Sequence, residues 1–221
     1  MTPAPDTLAE QAAVQVQRDI LAGSLAPGAR LAVHDLAARY AIGVTPLREG
    51  LARLVPLGLV LATGQRGFRV APVSRADLAD ITRARQAVEA AALRFSLIEG
   101  DAQWEAGIVA ALHLLRRSVG NAATPADAAP GFHAAHKQFH TALIAACGSP
   151  RLLRAQAALY DEAHRYRQVM LTRFEGWERF LRSHEALAES VLSRQPDAAQ
   201  AALMAHLAST LSIVYPAGEG A

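Results

Sequence analysis

Eight histidines stand in this chain of 221 residues, and four of them are spaced as imidazoles that could share a metal ion. His136 and His140 are four apart in HKQFH, so on a helix they share one face, with Cβ atoms about 5–6 Å apart. That is a chelating separation. His184, in SHEALAESVL, and His206, in MAHLAST, lie in small and apolar stretches where an unpaired imidazole would be costly. Leu203 and Leu207 flank His206, which directs it inward. Imidazoles from three helices aimed at one interior point would make a metal site in a helical bundle. Spacing leaves a second arrangement open: four histidines, each hydrogen-bonded on its own.

Such a site needs helices to carry it. From Ser74 onward the pattern is helical throughout. Ser74 and Asp77 open a helix to about Ile98 in the manner of a capping box, and a second runs from Asp101 to about Val119. The small-residue stretch Gly120–Gly131 reads as a loop. Four more helices are expected over about 132–147, 149–173, 176–194 and 197–214, with Ser149 and Pro150 starting the second of these. Six helices with short connections predict an antiparallel bundle over residues 74–221.

Residues 1–73 read differently. Leu8, Ala12, Val16 and Ile20 recur at helical spacing, and SLAPGARL then reads as a turn. A short helix over Val33–Arg39 is followed by a tight break at Ala41–Gly43 and a second helix over Thr45–Val55. Two β-prone runs, Leu59–Thr63 and Phe68–Val73, flank the connector GQRG. Helix, helix, tight turn, helix and hairpin is the order of a winged helix-turn-helix. The fold class expected is therefore mainly α, a winged helix-turn-helix over 1–73 followed by the six-helix bundle.

That N-terminal order brings its own candidate chemistry. A recognition helix enters the major groove with its N-terminal residues toward base edges. Thr45 could donate to a phosphate, and Arg48, one turn in, could reach a phosphate or a guanine. His34 and Arg39 sit where the preceding helix would cross the backbone, and Gln65 and Arg66 where a wing would meet the duplex. Charge agrees in sign: residues 1–73 hold seven arginines against five acids, whereas the rest holds fifteen cations against fifteen acids. Ordinary solvated helix arginines would give the same balance.

The segment from Arg18 to Ser74 resembles the DNA-binding domain of GntR-family regulators, through ILAGSLAPGARL, DLAARY, TPLREGLARL, GLV and RGFRV in order. The family places Ser or Thr, then a base-reading Arg, just before the TP pair. Here Gly43 and Val44 stand there, and Val44 offers instead a methyl surface suited to a thymine. Residues 75 to about 210 resemble the all-helical FCD-type effector domain of the family's FadR-like branch, through RARQAVEAAAL, FHTALIAACGSPRL, RYRQ and HEALAESVLSRQPDAAQAALMAHL. The resemblance implies a divalent metal held by one Asp and three His. By position the histidines are His140, His184 and His206, and His136 replaces the Asp. An all-imidazole set leaves the ion its full charge and suits Zn²⁺ or Ni²⁺ over Mg²⁺. A small organic acid completing the shell, helped by Arg85 and Arg167, would be the effector, although Arg85 could equally pair with Glu89 one turn on. Tyr166 is a weaker candidate. A homodimeric repressor of a catabolic operon, on palindromic operator DNA, is the function implied.

The rival reading is a metal-dependent hydrolase using the same histidines. Against it, no glutamate forms an HExxH relation with them, and no nucleophile elbow or phosphate-cradling glycine loop is present. No apolar run approaches the roughly 20 residues of a membrane span, and the N-terminus shows no secretory signal. The single cysteine, Cys147, excludes an internal disulfide and fits a reducing cytoplasm.

Overall fold

The computed structural model describes residues 7–64, 67–120, 122, 131–166 and 176–216. The chain divides into two compact units, 1–77 with 161–168, and 78–160 with 169–221.

In the first unit, α1 (Leu8–Leu21) starts at a capping box in which Thr7 Oγ1 accepts from Glu10 N–H and Glu10 Oε2 accepts from Thr7 N–H. Its buried face is Ala9, Ala12, Val16 and Ile20, while Leu8, expected to share that face, is 55% exposed. α2 (Val33–Tyr40) and α3 (Val44–Leu54) make the helix-turn-helix. Between them Ala41 adopts the left-handed conformation (φ 52°, ψ 38°), its N–H closing back on Ala37 and Ala38 carbonyls. Leu47, Leu51 and Leu54 of α3 are buried against α1, and the two backbones meet at Gly50. A Cβ there would lie 2.8 Å from Ala12 Cβ and from the Ala9 carbonyl oxygen.

β2 (Val60–Thr63) and β3 (Gly67–Val70) form the wing hairpin, with Val60 opposite Val70 and Thr63 opposite Gly67. A third strand, β1 (Arg30–Leu31), pairs antiparallel with β3, giving the order β1-β3-β2. By sequence those two residues belong to a turn, because a two-residue strand has no periodicity to detect. Residues 161–166 complete this unit. The Tyr166 hydroxyl accepts from Ser74 N–H at 2.9 Å and donates to Asp77 Oδ2 at 2.6 Å. Arg165 reaches Pro72 O and Asp77 Oδ2 at 3.1 and 3.2 Å.

The second unit is built from α4 (Arg75–Glu99) from Leu78 onward, α5 (Ala102–Val119), α6 (Phe132–Leu143), α7 (Pro150–His164) as far as Tyr160, α8 (Trp177–Leu192) and α9 (Pro196–Val214). α5 packs on α6 and α8, and α8 on α9. Leu93, Ile108, Leu115, Phe139, Leu143, Leu187 and Leu203 lie in its core. The expected caps are present: Asp77 N–H donates to Ser74 Oγ, and Leu152 N–H to Ser149 Oγ. α6 stops at Leu143, short of the expected Cys147, as three-residue turns take over from the helical bonding. α7 stops at His164, and the end expected near Arg173 lies outside the described residues. No described helix is long and apolar enough to cross a membrane.

Candidate functional site

In the first unit, Val44, Thr45 and Arg48 lie in the opening turns of α3. Thr45 and Arg48 are exposed, and Leu47 between them is buried, which fixes the helix's rotation. Gly43 caps α3 without a side-chain hydrogen bond, so the first N–H groups of the helix have no side-chain cap. Arg48 lies over the Phe68 ring at 5.8 Å and has no carboxylate partner among the described residues. Val44 is half-buried and packs on the core. His34 is exposed on α2. Arg39 is partly committed: its Nη2 lies 2.9 Å from Asp19 Oδ2, a buried carboxylate that also accepts the Tyr40 hydroxyl. Gln65 and Arg66 lie outside the described residues.

In the second unit a cavity of about 600 Å³ is lined by Arg85, His136, His140, His184 and His206. α6 contributes His136 and His140 from one face, α8 contributes His184 and α9 contributes His206. His136 Nε2 stands 2.9 Å from His184 Nε2 and 3.1 Å from His140 Nε2. Two imidazole nitrogens on a tetrahedral ion at about 2.0–2.1 Å are roughly 3.3 Å apart, so this separation fits a shared ion. His136, His140 and His184 form the group whose ligand atoms all fall within 4.8 Å of one another. The His206 ring lies beside them, 4.6 Å from that of His184 and 5.2 Å from that of His140.

The outer ring nitrogen of His184 settles which of its lone pairs is available. His184 Nδ1 lies 2.7 Å from the Phe180 carbonyl, which can only accept, so Nδ1 carries the proton and Nε2 the lone pair. His206 Nδ1 meets Ser183 Oγ at 2.9 Å, and His136 Nδ1 meets Tyr160 Oη at 2.9 Å. His140 Nδ1 is buried with no hydrogen-bond partner. Burial pushes the His184 pKa down to about 4, and burial together with neighbouring imidazoles and Arg85 holds His140 and His206 well below the usual range. Neutral imidazole is the form that ligates, so the donor set fits a transition-metal ion.

Arg85 is 6% exposed and forms a buried ion pair with Glu89, Nε to Oε1 at 2.8 Å. Arg85 thus pairs with Glu89 and also lines the cavity. Its Nη2 is buried without a partner, as is Glu89 Oε2. Burial raises the Glu89 pKa, and Arg85 opposes that rise.

Arg167 lies outside the described residues. Tyr166 bonds to Ser74 and Asp77 and is absent from the cavity lining, so its hydroxyl serves the first unit. Sequence reasoning missed Tyr160, Arg179, Ser183, Ser209 and Thr210, which also line the cavity. For α9 a signal was present: His206, Ser209, Thr210 and Ile213 follow i, i+3, i+4, i+7 spacing and share a face. No carboxylate stands among the described residues lining the cavity.

The profile of the gntR family of bacterial regulatory proteins matches residues 8–70, and that of the FCD domain matches residues 80–209. An uncharacterized HTH-type transcriptional regulator, BphR of Paraburkholderia xenovorans strain LB400, is 36% identical over 215 residues, covering 96% of this chain and 87% of the relative. The HTH-type transcriptional repressor GlaR of Escherichia coli K12 is 35% identical over 209 residues, covering 93% and 94%. Among solved structures, E. coli McbR/YncC superposes with a TM-score of 0.79 at 20% identity, covering 95% of this chain and 97% of that one. A GntR regulator from Rhodococcus sp. RHA1 gives 0.75 at 24% identity, covering 95% and 98%. These two share the fold.

Proposed function

This chain belongs to the GntR family of bacterial regulatory proteins and carries an FCD domain, and from that premise we propose that it is a repressor whose DNA binding is switched by a small carboxylate bound next to a metal ion. It is a DNA-binding transcription regulator by family. Repression is adopted from its relative GlaR, a repressor by name. One observation carries the ligand reading: buried Arg85, whose Nη2 has no hydrogen-bond partner, lines the same cavity as His136, His140 and His184. A buried guanidinium nitrogen without an acceptor is costly, and a carboxylate in the cavity would satisfy it.

The three clustered histidines, with His206 as a fourth donor, would hold a Zn²⁺ or Ni²⁺ ion. When bound, the ion supplies a positive charge that no ligand carboxylate offsets. Arg85 would take one carboxylate oxygen of the effector, and Ser183, Ser209 and Thr210 would bind its remaining polar groups. A ligand shifts an equilibrium only by its differential affinity for two states, so the effector must bind the DNA-competent arrangement more weakly than its alternative. The operator would be palindromic and the protein a homodimer, consistent with the exposed apolar residues Phe95 and Ile98 on α4 and Val109 on α5. The genes controlled would be catabolic, lying beside the regulator's own.

Fluorescence anisotropy on the intergenic DNA next to the coding region tests this reading. Binding should weaken steeply with salt, and a panel of small carboxylates should contain one that releases the DNA only from metal-loaded protein. Equal affinity for that DNA and for random duplex would rule the reading out.

A further inference from the structure

Three of the four cavity histidines have an outer nitrogen held by a hydrogen bond, and the three partners differ in kind. The partner of His184 is the Phe180 carbonyl on the same helix, and that of His206 is Ser183 on α8, next to His184. The partner of His136 is Tyr160, on α7, a helix that carries none of the four histidines. Tyr160 is 5% exposed, and its ring is approached by two cations, Arg85 at 5.5 Å and Lys137 at 5.7 Å. Burial and these contacts hold the ring in one position, so the hydroxyl stands at a fixed point behind His136.

A hydroxyl can donate or accept, so Tyr160 leaves two imidazole tautomers open where a carbonyl allows one. Only one of them can ligate here. His136 Nε2 faces the other two Nε2 atoms, so a shared ion requires its lone pair there and the proton on Nδ1. Tyr160 Oη must then accept.

Resting on the metal reading above, the geometry points to Tyr160 as the positioning residue of the metal site: its hydroxyl accepts from His136 Nδ1 and keeps Nε2 available to the ion. Because the same ring lies against Arg85, it also ties the ion's ligand to the cation that would bind the effector. Outer-shell partners of this kind are worth about 10–100-fold in metal affinity.

The experiment is a double-mutant cycle on the full chain, with Zn²⁺ affinity measured by competition with a chromophoric chelator. Tyr160→Phe keeps the ring against Arg85 and removes only the hydroxyl, and should weaken Zn²⁺ binding about 10–100-fold. In a His136→Ala background the same change should do nothing further. Long-range ¹H–¹⁵N spectra of the Zn²⁺ form should show His136 solely as the Nδ1–H tautomer in the wild type. Undiminished affinity in Tyr160→Phe, or an equal loss with and without His136, would overturn the assignment while leaving the metal site standing. A wild-type chain that takes up neither Zn²⁺ nor Ni²⁺ would overturn the metal reading and this assignment with it.

Discussion

Buried, neutral His184 ties stability to pH in a definite direction. Its folded pKa of about 4 lies below the 6.5 of an exposed imidazole, so the unfolded chain binds more protons between those values. Its contribution is fully present above pH 6.5 and is lost as pH falls toward 4. For His184 alone the loss on going from neutrality to pH 5 is about 2 kcal/mol, and His140 and His206 shift in the same direction. Metal-free protein should therefore show a lower urea midpoint at pH 5 than at pH 7, and an unchanged midpoint would mean that these imidazoles are hydrated. The Arg85–Glu89 pair gives a second expectation at this scale. Arg85→Met strands a fully buried carboxylate and should cost about 3–5 kcal/mol in denaturant titration, most of which Arg85→Met with Glu89→Leu should restore. At residue level the sequence showed the histidines, because i, i+4 spacing and apolar neighbours are local facts. Tyr160 and Arg179 left no such trace, since what makes them part of the site is the crossing of separate helices, which no spacing within one segment encodes.

The helix-turn-helix rests on two backbone features that substitutions can probe separately. Gly50 sits where α3 crosses α1, and an added Cβ would meet Ala9 O and Ala13 N, backbone atoms that cannot swing aside. Gly50→Ala should therefore destabilise by about 1–3 kcal/mol despite alanine's better helix propensity, read as a lower urea midpoint. Ala41 pays a left-handed penalty in the turn, so Ala41→Gly should be neutral or stabilising by up to about 1 kcal/mol in the same assay. The helices were legible where caps and breakers mark them, as at Ser74, Gly120 and Ser149. They were less so where tertiary bonds decide. α6 ends four residues before the expected Cys147 with no glycine or proline to announce it. α7 gives way just where Arg165 and Tyr166 turn to bond with Pro72, Ser74 and Asp77. Long-range partners override local preference at both β1 and the end of α7.

For the whole molecule, the expected dimer is testable through α4. Phe95 and Ile98 are three residues apart and 40% and 68% exposed. Ile98→Asp should give monomer by light scattering, with weaker binding to the palindromic site and little change in metal uptake. Chain order and spatial grouping also part company here, since 161–168 belongs with 1–77. An excised N-terminal fragment ending near residue 77 would lack Tyr166, leaving Ser74 N–H and Asp77 without the phenol that joins them. Such a fragment should melt at a lower temperature than the same residues within the intact chain, and supplying 161–168 as a separate peptide should restore part of the difference. The DNA-binding unit is thus closed by a piece of the polypeptide made more than eighty residues later, so on the ribosome it stays unfinished until much of the second unit has emerged.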